Sequence, residues 1–271
     1  MQLSAFLFAQ LAVLGLVTGF LAGLLGIGGG MVVVPALTFV LAAQSVPADL
    51  GVKMAIATSM ATILFTSLSS VRAHHKRGAV RWDIVKSLAP GIVVGSVVSS
   101  LGAFAALKGS ALAIFFGLFV GFSAWRMLRG GNPEATRQLP PRAGTAAAGG
   151  VIGFISGLVG AGGGFLSVPF LTWCNVAVHT AVATSAALGF PIALTNAIGY
   201  AISGQSVADL PPASLGYIWL PGLAVIAAFS VLAAPLGARA AHALPVARLK
   251  TVFACVLLVL AAYMLWKGLA G

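Results

Sequence analysis

The chain has few charged residues of either sign and very few acidic ones. Only 7% of its 271 residues are charged, with 15 Lys and Arg against 4 Asp and Glu. A soluble domain has about 25% charged residues, so this chain has too few to cover a water-facing surface. With 60% hydrophobic residues and a mean hydropathy of +1.07, it is predicted to be a membrane protein.

Cysteine and mid-segment carboxylates are also scarce, which excludes several kinds of chemistry. Cys174 and Cys255 both lie in apolar stretches, so a disulfide framework or Cys-rich metal site is excluded. The acidic residues all lie in loops or at segment ends: Asp49, Asp83, Glu134 and Asp209. A carboxylate proton relay or cation site is therefore not expected, and no hydrolase or metalloprotease motif is present. We expect no metal, no cofactor and no enzymatic activity, and the handling of anions is the remaining interpretation.

Ten apolar segments alternate with basic loops. The segments fall near 3–25, 29–44, 50–72, 84–106, 110–128, 145–160, 163–178, 181–202, 214–238 and 250–267. Twelve of the fifteen Lys and Arg lie in loops 72–86, 126–142 and 239–250, which are therefore predicted to be cytoplasmic. Because the basic residues are distributed as topology signals, the net charge of +11 does not indicate nucleic-acid binding.

An internal repeat is the strongest signal in the sequence. Residues 15–38 align with 149–172 without a gap, with 14 identities in 24 positions. The alignment places the glycines of one half on those of the other, and Val34–Pro35 on Val168–Pro169. A second block, at an offset of 126, places 57–59 on 183–185, both Ala-Thr-Ser. A weaker third block places Pro90–Gly91 on Pro221–Gly222.

The repeat and the loop charges together predict the architecture. All three basic loops share one side only if each half has an odd number of crossings, so the halves are predicted to be inverted repeats with both termini outside. We therefore expect an all-α polytopic membrane protein with two inverted-topology repeats of about four to five segments each. The repeats are predicted at 1–130 and 144–271, joined by a basic cytoplasmic linker at 131–143. Segments 29–44 and 163–178 are short and begin at glycine clusters, which predicts half-helices or re-entrant hairpins. Such broken helices in inverted repeats are typical of secondary transporters.

The glycine clusters are the first candidate for an anion site. Consecutive glycines release the backbone from helical geometry, and the helix that follows presents free N–H groups and a positive end. The predicted lining glycines are Gly28, Gly29, Gly30, Gly162, Gly163 and Gly164. The alternative for glycines in such segments is close helix packing, which we prefer for Gly15, Gly19, Gly23 and their copies because of their helical spacing.

Polar and cationic residues at matched positions complete the predicted site. Polar side chains that would donate to an oxyanion or coordinate Na⁺ are Thr58, Ser59, Thr184 and Ser185. The alternative for each is a hydrogen bond to a carbonyl one turn earlier in its own helix. Lys53 and His179 form a matched cationic pair that would favour an anion, although Lys53 is near enough to a segment end to reach the interface. Asn196 would add a further polar contact.

Two adjacent histidines lie in a basic loop. His74 and His75 are interpreted as part of a solvated orientation signal, with a cytoplasmic gate or pH sensor as the alternative.

At these residues the chain resembles the TauE/SafE sulfite exporter family. The resemblance rests on GLLGIGGGMVVVPAL at 23–37, its copy GLVGAGGGFLSVPFL at 157–171, VKMAIATS, VHTAVATS and HHKRGAVRWD. It implies a multi-pass transporter of the bacterial inner membrane for small anions such as sulfite, sulfonates or other organosulfur compounds. It also implies export rather than import.

Three functional hypotheses follow. The first is a secondary transporter that binds the anion near the midplane, between the two glycine clusters, and works by alternating access. The second is an anion channel, and the third is a non-transporting membrane subunit that assists assembly of a partner complex. H⁺ and Na⁺ are both candidate coupling ions, and glycine faces not used within the fold would support a homodimer.

Overall fold

The fold consists of ten helices in the described part of the chain, eight of which are long and apolar enough to cross a bilayer. The computed structural model describes residues 4–25, 29–129, 137–240 and 246–270. The long helices are α1 (Ala5–Leu25), α3 (Ala48–His75), α4 (Trp82–Ala106), α5 (Gly109–Arg129), α6 (Arg142–Val159), α8 (Val178–Ser203), α9 (Leu220–Ala240) and α10 (Val246–Ala270). Each of the ten predicted segments contains a helix, although the segment near 214–238 begins with a short hairpin and becomes helical only at Leu220. The all-α polytopic fold class is confirmed.

Two helices are too short to cross the hydrocarbon core, as their sequences predicted. They are α2 (Gly30–Ala43), with 14 residues, and α7 (Gly164–Trp173), with 10 residues. At 1.5 Å per residue they extend about 21 and 15 Å, against a core about 30 Å thick. The sixth residue of each is a proline, Pro35 or Pro169, which removes one backbone hydrogen bond from an already short helix.

The outer surface of the helices is apolar and the interior contains hydroxyl groups. Exposed side chains include Phe6, Leu118, Leu232 and Val259. Twenty described polar side chains are buried, most of them Ser and Thr. The interior is still mainly hydrophobic, but an outer surface this apolar is unlike that of a soluble protein and fits a bilayer around the helices.

The first helix of each half packs against a helix of the other half. Gly15, Gly19 and Gly23 of α1 lie against α9, where a Cβ would overlap the backbone of the facing helix. Gly149 and Gly153 of α6 lie against α4 in the same manner. Helix packing, the interpretation preferred for these glycines, is thus what their contacts show. The repeat boundaries at 130 and 144, and the inverted relation of the halves, stay predictions.

Between α8 and α9 the chain forms a short hairpin. Strands β1 (Ser214–Leu215) and β2 (Ile218–Trp219) pair antiparallel, with Ser214 opposite Trp219. Tyr217 and Trp219 are buried, so the hairpin lies against the helices and not out in solvent. The backbone N–H of Trp219 bonds to Thr58 of α3, which ties the hairpin to that helix.

Candidate functional site

The two glycine clusters meet inside the molecule. Gly30, the first residue of α2, lies against Gly160 at the end of α6, so that a Cβ at Gly30 would overlap the Gly160 carbonyl oxygen. Ser59 of α3 donates to the same carbonyl at 2.9 Å. Gly26 and Gly28 lie outside the described residues. The contact brings together one residue of each glycine cluster, Gly30 and Gly160, and the predicted hydroxyl of Ser59.

Matched glycines turn the chain into each short helix. Gly29 and Gly163 are 134 residues apart, and have φ values of 71° and 77°. This left-handed conformation is accessible to glycine at little cost and disfavoured for side chains with a Cβ. The first N–H groups of α2 and α7 follow directly, without a partner inside their own helix. Both helix starts therefore present donors beside the meeting point of the clusters.

Beside this meeting point is a small buried cavity, here called the central cavity. Its lining consists of Ala22, Ile63, Thr66, Ser67, Ser70, Gly162, Ser185, Ala186 and Gly189. Its volume is about 10 Å³, which is on the order of one water molecule. No lining side chain in the described structure carries a charge.

The hydroxyl groups around the central cavity are unevenly satisfied. Ser185 and Ser167 share a hydrogen bond of 2.7 Å, and Ser167 also donates to the Gly163 carbonyl at 3.0 Å. Ser70 is 2% exposed, and its Oγ has no hydrogen-bond partner among the described residues. A buried hydroxyl without a partner is costly in an apolar setting, so Ser70 offers a donor to whatever enters the cavity.

Thr58 bonds to the hairpin and Thr184 to the loop before α4, and neither lines the central cavity. The Thr58 Oγ1 accepts a hydrogen bond of 2.9 Å from the backbone N–H of Trp219. The Thr184 Oγ1 accepts one of 3.1 Å from the backbone N–H of Arg81. Both threonines are fully buried.

Lys53 and His179 lie far apart. Lys53, in the second turn of α3, donates to the Ala105 carbonyl at 3.1 Å and lies 5.4 Å from the ring centre of Tyr217. The backbone N–H of Tyr217 bonds to Tyr200, near the end of α8. His179 is exposed in the first turn of α8, 21 residues before Tyr200, which is about 30 Å along a helix. The matched pair does not converge on one ligand in this conformation, and its role in binding stays a prediction.

Asn196 is used in a structural contact beside α6. Its Nδ2 donates to the Ile192 carbonyl at 2.8 Å, while Tyr200 donates to its Oδ1 at 3.4 Å. The Tyr200 hydroxyl also donates to the Gly157 carbonyl. The amide is fully buried but does not line the central cavity.

The sequence did not predict a set of hydroxyl residues of α3 that line the central cavity. Thr66, Ser67 and Ser70 line the central cavity, and their helical spacing from Ser59 was the available signal. The repeat did not reveal them because the residues at the same offset as Thr66 and Ser67 are Ile192 and Ala193.

The interpretation of His74 as a solvated residue is wrong. It is 1% exposed, with its Nε2 at 3.1 Å from the Gly23 carbonyl oxygen, because the end of α3 packs against the end of α1. His75 is exposed and accepts a hydrogen bond from the indole of Trp82 at 3.1 Å.

A larger groove, of about 810 Å³, is unsuited to an anion. It lies between α1, α2 and α10, and its lining is apolar except for Gln10 and Tyr263. An anion there would lose its hydration without compensating charges or a set of donors. Within the described residues, no group of three His, Cys, Asp or Glu side chains is placed to hold a metal ion.

The chain is similar in sequence to proteins described as membrane transporters. The sequence profile of the family described as "Sulfite exporter TauE/SafE" matches residues 11–264. A "Probable membrane transporter protein" of Haemophilus influenzae is 37% identical over 256 residues, covering 93% of this chain and 96% of the relative. The "Probable membrane transporter protein YunE" of Bacillus subtilis is 32% identical over 224 residues, covering 73% and 80%. The "Probable membrane transporter protein MJ0441" of Methanocaldococcus jannaschii is 28% identical over 258 residues, covering 94% of each chain. No solved structure matches the chain.

Proposed function

Because this chain belongs to the sulfite exporter TauE/SafE family, we propose that it is a secondary transporter that exports small sulfur-containing anions through the central cavity. It is a multi-pass membrane transporter, and in a bacterium its membrane is the inner one. The observation that carries the proposal is the buried contact between the two glycine clusters, beside helices that carry hydroxyl side chains. Substrate, direction and mechanism are the proposed parts.

Hydroxyl and backbone donors are the groups that would hold the anion. Ser59 and Ser185 would exchange their present protein partners for the anion, and Ser70 would use its unpartnered hydroxyl. The cavity as described is smaller than a sulfur oxyanion, so binding requires α3 and α8 to move apart. Alternating access supplies such a movement.

The membrane potential favours export of an anion. One elementary charge moving across the membrane gains about 2.3 kcal/mol per 100 mV, and a negative interior drives anions outward. The absence of a carboxylate from the described lining of the cavity fits this use of the potential. Coupling to H⁺ or Na⁺ would change the direction or the stoichiometry, and the flux measurements below include both ions.

The direct test is flux in proteoliposomes made with the purified protein. Sulfite, sulfate, thiosulfate, sulfoacetate, taurine, acetate and chloride would be compared, with and without a pH or Na⁺ gradient. We expect saturable flux of a sulfur-containing anion and counterflow against a preloaded anion. Flux without counterflow would indicate the channel, and no flux above that of protein-free liposomes would refute the proposal.

Replacing Gly189 by alanine is expected to reduce flux while preserving the fold. Its added Cβ would lie 3.3 Å from the Ser67 Cβ and 3.7 Å from the Gly162 carbonyl oxygen, so it would fit with a small shift and fill the cavity. An extra methyl in a filled site costs about 1–3 kcal/mol, which corresponds to a loss of flux of about fivefold to over a hundredfold. Gly51→Ala is the matched control, since its Cβ would make ordinary contacts at 3.8 Å or more. Equal flux in the two variants would place the substrate elsewhere.

The charge of the site predicts a preference for monoanions. The described cavity lining has no cation, and each adjoining helix start contributes only about half a positive charge. Sulfite flux should therefore fall as pH rises and hydrogensulfite loses its proton to become a dianion. Methanesulfonate keeps one negative charge throughout and should show no such fall. Sulfite flux that increases with pH would contradict this prediction.

A further inference from the structure

Thr58 and Thr184 make equivalent hydrogen bonds at two different places. Each is the middle residue of an Ala-Thr-Ser triplet, and each accepts a bond from the backbone N–H of the residue just before a long helix. Trp219 precedes α9, and Arg81 precedes α4. Both hydroxyl oxygens thus hold the start of a helix that packs against a glycine-rich helix of the other half.

The two bonds lie on opposite sides of the central cavity. Lys53 at one end of α3 contacts the hairpin through Tyr217, and His75 at the other end contacts Trp82, with ring centres 5.5 Å apart. These α3 residues are 22 positions apart, or about 33 Å along a helix. The hairpin and the loop that ends at Arg81 therefore lie at opposite ends of α3.

The central cavity lies between these ends. Along α3, Thr58 precedes the cavity residues 63–70, and along α8, Thr184 precedes the cavity residues 185–189. Because each helix reaches the cavity from the opposite end, each threonine closes a different approach to it. The loop containing Arg81 is basic, whereas residues 203–213 near the hairpin have no Lys or Arg, which assigns the two approaches to opposite faces of the membrane.

We propose that Thr58 and Thr184 are gating residues and not substrate ligands. Release of the Thr58–Trp219 bond opens the central cavity on the hairpin side, and release of the Thr184–Arg81 bond opens it on the basic-loop side. Both bonds are formed in the structure described here. This inference rests on the proposed transport function, because alternating access requires two gates that open separately.

The test measures access to the cavity from each side. A cysteine reporter, S67C, is introduced after Cys174 and Cys255 have been replaced by alanine. Its labelling by a membrane-impermeant thiol reagent is then followed in right-side-out and inside-out vesicles. Thr58→Val leaves the Trp219 N–H without its acceptor, so labelling from the hairpin side should become about tenfold faster. Thr184→Val should give the same increase from the other side.

Two controls separate gating from a general loss of structure. Thr58→Ser and Thr184→Ser keep the hydroxyl and should restore the original labelling rates. Thr62→Val removes a buried hydroxyl one turn away that bonds only within α3, to the Thr58 carbonyl at 2.9 Å among the described contacts, and should leave both rates unchanged. Where a valine variant does not reach the membrane, alanine removes the same acceptor.

The outcomes distinguish this proposal from the proposed function. Faster labelling from both sides in either variant, an increase on the wrong side, or an equal effect of Thr62→Val would overturn the assignment of the gates. Labelling needs no substrate, so a protein that transports none of the tested anions would still show sided gating. Conversely, anion flux with unsided labelling would support transport and reject these gates.

Discussion

Gly19→Ala is expected to destabilise the protein strongly while leaving flux per folded molecule close to that of the wild type. A Cβ at Gly19 would lie within 2.7 Å of the carbonyl carbon of Ser230 and overlap the same residue's Cα and oxygen. The facing atoms are backbone, so the whole of α9 must shift. Overpacking lowers the free energy of unfolding by about 1–3 kcal/mol, occasionally more. Because this overlap is deep, we expect a loss of about 3 kcal/mol. For a chain of this size that lowers Tm by roughly 6–12 °C.

The matched position in the second half gives an independent check. Gly153→Ala should cause a similar loss, because its Cβ would overlap the Ile92 carbonyl oxygen and lie 2.9 Å from the Ser96 Oγ. Gly121→Ala is the control, since its Cβ would meet the Ala261 Cβ at 3.7 Å. Thermal unfolding of the three variants in one detergent would show whether Gly19→Ala and Gly153→Ala have lower Tm values than Gly121→Ala. Equal Tm values for Gly19→Ala and Gly121→Ala would mean that α1 does not pack as described.

The long helices and their packing glycines could be predicted because their signals are local. Apolar length identifies a spanning helix, and a spacing of four residues places Gly15, Gly19 and Gly23 on one face. The helices against which these glycines pack were harder to predict. Gly19 contacts Ser230 and its repeat mate Gly153 contacts Ile92, so the contacts relate α9 to α4 at an offset of 138, and the weak sequence block gave 131. The difference of seven residues is about two helical turns, so both offsets place the same face of the helix against its partner.

The site was predicted less completely because its contacts depend on residues distant in sequence. The internal repeat predicted Ser59, Gly30 and Ser185 as site residues. It did not predict which hydroxyl groups bond instead to the backbone of a distant segment. Whether Thr58 faces a ligand or the backbone N–H of Trp219 depends on a hairpin 161 residues away. His74 looked like part of a solvated basic run, and its burial follows from the approach of α1, which no local pattern records.

Gly30→Ala is expected to reduce flux far more than its loss of stability explains. The added Cβ would overlap the Gly160 carbonyl oxygen and lie 2.9 Å from the Ser59 Oγ and 3.0 Å from the Ala161 Cα. It would therefore force apart the two glycine clusters where the anion is proposed to bind. A misfit that costs about 1.4 kcal/mol in the bound state lowers affinity tenfold. The overlap with backbone atoms implies a cost of at least this size.

Comparison with Gly19→Ala makes this prediction decisive. Both variants introduce one methyl group against backbone atoms, so both should lower Tm, but only Gly30 lies at the meeting point of the clusters. Flux would be measured well below either Tm and divided by the amount of folded protein. Reduced flux in Gly30→Ala alone would assign transport to the cluster contact, because destabilisation is common to both variants. Equal flux per folded molecule would make the glycine clusters packing devices like Gly19, and the substrate path would then have to avoid them.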